Sequence, residues 1–315
     1  MANLYLAIYS SAASDIAVQY KNTYWRNAYE GLFAEIIKLG CVPVLVYSQE
    51  DNYLGNGVFR CYWEASLDES GKIQFTHFDK KITLLFLFDK DRFNGTDLAV
   101  TDPIEVREVC QDKYLSYLFA PELHARSFLL EKEAQENALR LSWGEKKIAL
   151  KELDGCGGEK VFVGEMAEYD GSLKFPLLAQ EFIDTSVGVP GICDGMHDLR
   201  VVVYNGEIIS LLLRRPPEGD YRSNMSCGGK YEELDIGQVP EDLRLMTTGL
   251  DKRFGIEKDR FYSIDFANTR DGWRIFELNA WPGLGYGTKN EKLFTKRLAR
   301  CLVSSLARQN RFSSE

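Results

Sequence analysis

The chain has no CxxC pair, no long block of lysine and arginine, and no apolar run near the ~20 residues that a membrane span needs. Each absence closes off a class of function. The seven cysteines, Cys41, Cys61, Cys110, Cys156, Cys193, Cys227 and Cys301, are odd in number and widely spaced. That pattern argues against a disulfide framework or a zinc site, and for a reducing cytoplasm. A formal net charge of −9 without a basic stripe argues against nucleic acid or an anionic membrane as partner. It leaves room for small anions, which need only a local positive cluster. Residues 1–14 carry no basic segment ahead of their short apolar run, so they do not read as a signal peptide. No internal repeat or low-complexity segment is evident.

What is present is a globular composition, 45% hydrophobic and 27% charged over 315 residues, enough for a large core. Residues 4–9 suit a buried strand. Residues 22–39 carry Ala28, Leu32, Ile36 and Leu39 on one helical stripe, with Gly40 as the stop, and 42–47 is a second strand. This β-α-β opening predicts a parallel sheet. Residues 82–88 form another strand, whereas 52–77 fit strands or an insertion equally. Further on come a helix start at 112–118 with Asp112 as N-cap, a helix over 131–141, and strands over 147–152 and 176–183, with a glycine-rich turn at 154–158 leading into 160–164. Asn205-Gly206 between apolar runs at 200–204 and 207–213 is a strong hairpin signal. A second hairpin joins 260–267 to 273–280, and an amphipathic helix over 289–308 closes the chain. The fold class is α/β (α+β).

Three clusters carry chemistry. Glu277 and Asn279 lie two apart on one strand and share a face. A three-residue turn of Arg270, Asp271 and Gly272 would set Asp265 opposite Glu277. Two carboxylates and an amide oxygen make a hard donor set suited to Mg²⁺. The same spacing also fits a polar solvent face. Arg200, Arg214, Arg215 and Arg222 concentrate near Gly228-Gly229, a grouping apt for phosphate or carboxylate. Salt-bridged arginines on a solvated sheet would look the same. Lys151 ahead of Gly155, Gly157 and Gly158 suits a phosphate cover, although it is not a P-loop because no GKS or GKT follows.

Taken together these motifs resemble the ATP-grasp superfamily, and within it the ribosomal-protein S6 glutamate ligase-like carboxylate–amine ligases. The resemblance runs from about residue 112 to the C-terminus. It rests on Asp198-Leu199-Arg200, Arg214-Arg215, the run from Gly219 to Asn224, and Gly228-Gly229. Ser263-Ile264-Asp265-Phe266 and Glu277-Leu278-Asn279 with Pro282-Gly283 add to it. The first ~100 residues match only in kind, as the small α/β domain that precedes such a module.

The resemblance implies an ATP-grasp fold in three parts: an N-terminal parallel-sheet domain over 1–101, a central lid over 102–184, and a C-terminal part over 185–315 with the Mg²⁺ and phosphate site. It implies ATP phosphates on Lys113 and Lys151 under a loop including Gly157 and Gly158. Adenine would be read at Glu181, Phe182 and Ile183, and ribose near Asp198. Arg222, Ser223 and Asn224 match nucleotide contacts, Asp265, Glu277 and Asn279 the Mg²⁺ ligands, and Arg200 and Arg215 the γ-phosphate and acyl-phosphate contacts. The implied activity is an ATP-dependent ligase forming an amide or peptide bond, with small-molecule or peptide carboxylate and amine substrates. A kinase acting on a hydroxyl and a non-catalytic nucleotide-binding module share the same residues, and homo-oligomerisation stays open. Three departures lie close to the implied site: Cys227 where an arginine is usual, Trp281 at a position often small, and a loop at 188–197 just before Asp198. His124 and His197 read as structural rather than as bases, and Cys227 has no role in an acyl-phosphate route.

Overall fold

The computed structural model describes residues 4–10, 23–47, 52–89, 93, 95, 97–143, 146–154, 158, 160–255, 259–284 and 291–312. The chain divides into two compact units, one of Met1–Pro103, Glu257–Arg260 and Gly283–Glu315, the other of Ile104–Ile256 and Phe261–Pro282.

In the first unit β1 (Tyr5–Ser10) and β2 (Val42–Tyr47) pair in parallel across helix α1 (Thr23–Lys38). Ala28, Leu32 and Ile36 of α1 are fully buried, and Gly40 ends the helix at φ +81°. The segment that fitted either strands or an insertion holds β3 (Val58–Phe59) and a hairpin of β4 (Tyr62–Leu67) and β5 (Ile73–Phe78). The single strand expected at 82–88 is two, β6 (Ile82–Thr83) and β7 (Phe86–Asp89). The break falls at Leu84, whose N–H bonds to Gly57 O at 2.8 Å. A Cβ on Gly57 would sit 2.2 Å from the Leu84 carbonyl oxygen, so only glycine permits this approach. With β8 (Ala99–Val100) the sheet runs β5-β4-β2-β1-β7-β8. The C-terminal helix, Glu291–Phe312, buries Phe294, Leu298, Leu302 and Leu306 and packs on α1. This apolar stripe finds its cover in the first unit rather than beside the residues that precede it in sequence.

The second unit holds two antiparallel sheets. Helices α2 (Ile104–Gln111) and α3 (Lys113–Phe119) come first, and Asp112 caps α3 by accepting from the N–H groups of Tyr114 (2.8 Å) and Leu115 (2.9 Å). One sheet comprises β9 (Ser127–Leu130), β10 (Lys147–Glu152), β11 (Val161–Glu165) and β12 (Leu177–Glu181), in the order β11-β10-β12-β9. Leu139 and Trp143 of helix α4 (Glu133–Trp143) cover its core. The other sheet comprises β13 (Asp198–Tyr204), β14 (Glu207–Arg215), β15 (Lys230–Leu234), β16 (Phe261–Thr269) and β17 (Gly272–Ala280), ordered β15-β14-β13-β16-β17. Asn205 and Gly206 adopt positive φ, 49° and 81°, as a two-residue hairpin turn demands. Leu243 and Leu250 of helix α5 (Glu241–Lys252) pack against this sheet's apolar face. Among the described residues no helix is long and apolar enough to cross a membrane.

Candidate functional site

Strands β13, β14, β16 and β17 gather charged side chains on one sheet face. Asp198 and Arg200 project together because they are two apart on β13. Arg214 stands opposite Asp198, Asp265 opposite Arg200, and Glu277 opposite Asp265. Arg200 grips Asp265 through paired bonds, Nε to Oδ1 at 2.7 Å and Nη2 to Oδ2 at 2.8 Å. Arg214 pairs with Asp198 and also lies 2.6 Å from Asp265 Oδ2, so one buried guanidinium bridges two carboxylates. Burial pushes the Asp198 carboxyl up to about 7 despite Arg214, and the charge on Asp265 adds to the rise. Burial acts on Asp265 too, yet Arg200 and Arg214 outweigh it and hold that carboxyl well below the usual range. Asp198 Oδ1 and Arg214 Nε are buried with no hydrogen-bond partner among the described residues.

Two bulges decide which side chains reach this face. On β14, Val202 pairs with Ser210 and Val203 with Ile208, which passes over Ile209. A turn at Asn205-Gly206 with no bulge would set Asp198 opposite Leu213 and put Arg215 on the same side. The extra residue brings Arg214 there instead, and Arg215 ends at the edge, 3.4 Å from Glu232. On β17, Phe266 pairs with Ile275 and Asp265 with Glu277, which passes over Phe276. The turn is two residues, since Thr269 pairs with Gly272. The expected Asp265–Glu277 register is therefore reached through the bulge at Phe276 rather than through a three-residue turn. The bulge also lets Phe276 and Glu277, adjacent in sequence, both line one cleft.

That cleft measures about 780 Å³, open mouth included. Ala149 and the β11 residues Val161 and Val163 give it apolar walls, joined by Phe182, Ile183 and Met196. Its charged wall holds Lys113, Lys151 and Arg222 with Asp198, Asp265 and Glu277. Lys151 Nζ donates to Gln180 Oε1 at 2.9 Å and to the Phe276 carbonyl at 3.2 Å. Gln180 is held in turn, its Nε2 donating to Ser127 Oγ at 3.1 Å. Burial lowers the Lys151 ammonium to about 8; Glu277 opposes this and Lys113 adds to it. Lys113 opens α3, its ammonium 3.5 Å from the Leu153 carbonyl oxygen.

The segment after β14 reaches Gly158. Gly219, at φ +83°, completes a turn closed by Asp220 N–H on Pro217 O at 3.1 Å. Asp220 Oδ1 then accepts from the N–H groups of Tyr221 (2.7 Å) and Arg222 (2.8 Å). Arg222 Nη1 donates to Gly158 O at 3.2 Å. Gly158 sits at φ +75°, and a Cβ there would meet Asn224 Oδ1 at 2.6 Å.

Twelve sequence-predicted positions line the cleft: Lys113, Lys151, Gly158, Asp198, Arg222, Ser223, Asn224, Asp265, Glu277, and Glu181, Phe182 and Ile183, which the resemblance reads as a hinge contacting adenine. Three lie off its wall. Arg200 backs Asp265, Arg215 faces Glu232, and Asn279 donates its amide to Asp265 Oδ2 at 3.2 Å. Gly157 lies outside the described residues. The sequence reads Gln180, Arg214 and Tyr221 only as neighbours of the assigned positions and Phe276 not at all, yet all four line the cleft.

The departures near the site have definite places. The 188–197 loop is tied down by Thr185, which bonds the His197 carbonyl and N–H at 3.0 Å each, and by Asn268 Nδ2 on Gly188 O at 2.7 Å. His197 and His124 are buried, and burial lowers both below the usual histidine range. Trp281 takes a left-handed backbone at φ +53°, turning the chain just after β17.

Among the described residues no group of three or more His, Cys, Asp or Glu side chains forms a metal cage. Mg²⁺ does not require one, because it commonly takes one or two carboxylates and completes its shell with phosphate and water. Asp265 and Glu277 are two carboxylates of the cleft wall, with Asp265 sharing its oxygens with Arg200 and Arg214.

Comparison with known proteins bears on this site. A family model described as a RimK-like ATP-grasp domain matches residues 127–302. A probable alpha-L-glutamate ligase of Psychromonas ingrahamii is 26% identical over 148 residues, 45% of this chain and 44% of that protein. The match thus spans less than half of the relative's length. D-alanyl-alanine synthetase A from Vibrio cholerae superposes with a TM-score of 0.59 at 14% identity, covering 98% of this chain and 99% of that one. The ATP-grasp ligase PsnB, complexed with minimal precursor, Mg and ADP, superposes with a TM-score of 0.58 at 14% identity, covering 97% and 99%. At such identities the superpositions speak for the fold, which is that of ATP-grasp ligases.

Proposed function

Because this chain belongs to the RimK-like ATP-grasp family, we propose that it is an ATP-dependent ligase joining a carboxylate to an amine through an acyl-phosphate. The observation that carries the reading is one cleft with two chemistries. An apolar slot beside the hinge residues Glu181, Phe182 and Ile183 suits a nucleobase. A charged wall with Lys113, Lys151 and Arg222 facing Asp265 and Glu277 suits a polyphosphate with its cation.

Asp198, with Oδ1 unpartnered in the wall, is placed to accept from a ribose hydroxyl. Lys113 and Lys151 neutralise the phosphates. Arg222 links the segment from Gly219 to Asn224 to the glycine loop through Gly158. Asp265 and Glu277 would hold Mg²⁺, with Asn279 adjacent to Asp265. When bound, that ion would neutralise charge on the transferring phosphoryl group.

A free carboxylate is a poor electrophile. Moving the γ-phosphoryl group onto a carboxylate oxygen breaks the β–γ bridge, releases ADP and gives the acyl carbon a good leaving group. The amine then forms the C–N bond, loses a proton and expels phosphate. The buried cations stabilise the charge that spreads in the first step, and do so more strongly than they would in water. Amino acids or peptides are the substrates this reading favours, in keeping with the glutamate ligase relative and the precursor-bound PsnB. None of the described cysteines is joined in a disulfide.

The test is phosphate release from ATP and Mg²⁺ against panels of amino acids and short peptides, singly and in pairs, with products weighed by mass spectrometry. The reading expects ADP, phosphate and a product equal to acid plus amine minus water. A product heavier by one phosphoryl group with no amine required would replace it with a kinase.

A further inference from the structure

Tyr221 belongs to no role described so far, yet its ring lines the cleft beside Phe182. The two rings meet edge to face, with centroids 5.1 Å apart and planes at 78°. Lys147, the first residue of β10, reaches both. Its Nζ donates to the Tyr221 hydroxyl at 2.6 Å and lies 5.1 Å from the Phe182 ring centroid. It is 4.4 Å from the Tyr221 ring centroid, and with the hydroxyl so much closer the ammonium sits at the ring's polar tip rather than over its face. Tyr221 is thus anchored at both ends, by Asp220 through its backbone and by Lys147 through its hydroxyl.

Phe182 adjoins Ile183 in sequence, and both line the cleft together with Ala149. A nucleobase lying there would have Phe182 and Tyr221 as its aromatic neighbours. Arg222, bonded to Gly158, follows Tyr221 directly in sequence, so one short segment gives the cleft both residues.

We propose that Tyr221, held by Lys147, is a nucleobase-binding residue that closes the apolar end of the cleft and slows nucleotide release. This rests on the reading of the cleft as a nucleotide site. The ring supplies the contact surface, and the lysine fixes the ring's position at little entropic cost because Asp220 already sets the backbone.

The test is titration calorimetry of ADP and of inorganic tripolyphosphate, with stopped-flow release of ADP, on the full chain and on Tyr221→Ala, Tyr221→Phe and Lys147→Met. Tyr221→Ala should weaken ADP about tenfold and speed its release, leaving tripolyphosphate unchanged, because only ADP has a base to lose the contact. Tyr221→Phe should keep most of the affinity and, like Lys147→Met, release ADP faster than wild type. Equal ADP affinity and release in Tyr221→Ala and wild type would overturn the proposal. So would an equal loss for tripolyphosphate, which would make Tyr221 only a support for Arg222. Failure of the wild-type chain to bind ADP would instead overturn the nucleotide reading beneath it.

Discussion

Lys151 shows how much a single position in this site depends on its surroundings. Its ammonium is buried, bonded to Gln180 and the Phe276 carbonyl, and lowered to about 8. It is charged below that pH and loses its charge as pH rises through it, well before an exposed lysine would. Polyphosphate affinity should therefore fall between pH 7 and pH 9.5, while Lys151→Arg, which stays charged, should show a flatter profile. Calorimetry across that range checks this, and identical profiles would remove Lys151 from the phosphate contacts. Arg214 bridges Asp198 and Asp265 in a buried setting. Arg214→Met should cost about 3–5 kcal/mol in urea unfolding, because Asp198 would stay buried without its cation and Asp265 would keep Arg200 alone. A loss below about 1 kcal/mol would mean that the pair is solvated and the bridge unimportant. His124 is buried and lowered to about 3, so it is neutral in the folded chain. The unfolded chain takes up that proton below about 6.5. Stability from this residue is therefore whole above that pH and declines as pH falls toward 3, at up to about 1.4 kcal/mol per pH unit. His124→Phe should show a shallower acid decline in urea midpoints at pH 7 and pH 4.5 than the wild-type chain.

At the scale of elements, much was legible and the remainder was hidden by bulges. The Asn205-Gly206 turn, the Asp112 cap and the β-α-β opening follow from local chemistry, and the structure has each of them. The 52–77 region was hard to place because β5 has no fully buried residue and its alternation breaks at His77 and Phe78. Choosing between Arg214 and Arg215 depended on a register shift between Val202 and Val203, and nothing in the composition of β14 announces it. Asp265 and Glu277 were matched by assuming a longer turn, and they meet by way of Phe276. The segment from Ser223 to Gly229 is equally constrained. A Cβ on Gly229 would lie 2.2 Å from the Ser223 carbonyl oxygen, so Gly229→Ala must push Ser223 and Asn224 off their places at the cleft. It should weaken ATP binding about tenfold or more while leaving the unfolding midpoint little changed, since the displaced segment adds little to the core. Unaltered ATP affinity would show that this segment is not a nucleotide contact.

For the whole molecule, the polar half of the site was easier to read than the apolar half. Lysines, arginines and carboxylates stand out in an acidic chain, and their order matched a known family pattern. Val161, Val163, Met196 and Phe276 line the same cleft, yet in sequence they look like any core residue. Only folding shows that they leave a slot instead of filling one. The last helix was equally unreadable in its partnership, because its apolar stripe does not specify which unit it will cover.

The central claim is that a carboxylate oxygen leaves with phosphate. Once the substrates are known, the carboxylate can be labelled with ¹⁸O and the released phosphate weighed. One ¹⁸O atom should be transferred to phosphate for each amide formed. Amide formation with unlabelled phosphate would contradict the acyl-phosphate route.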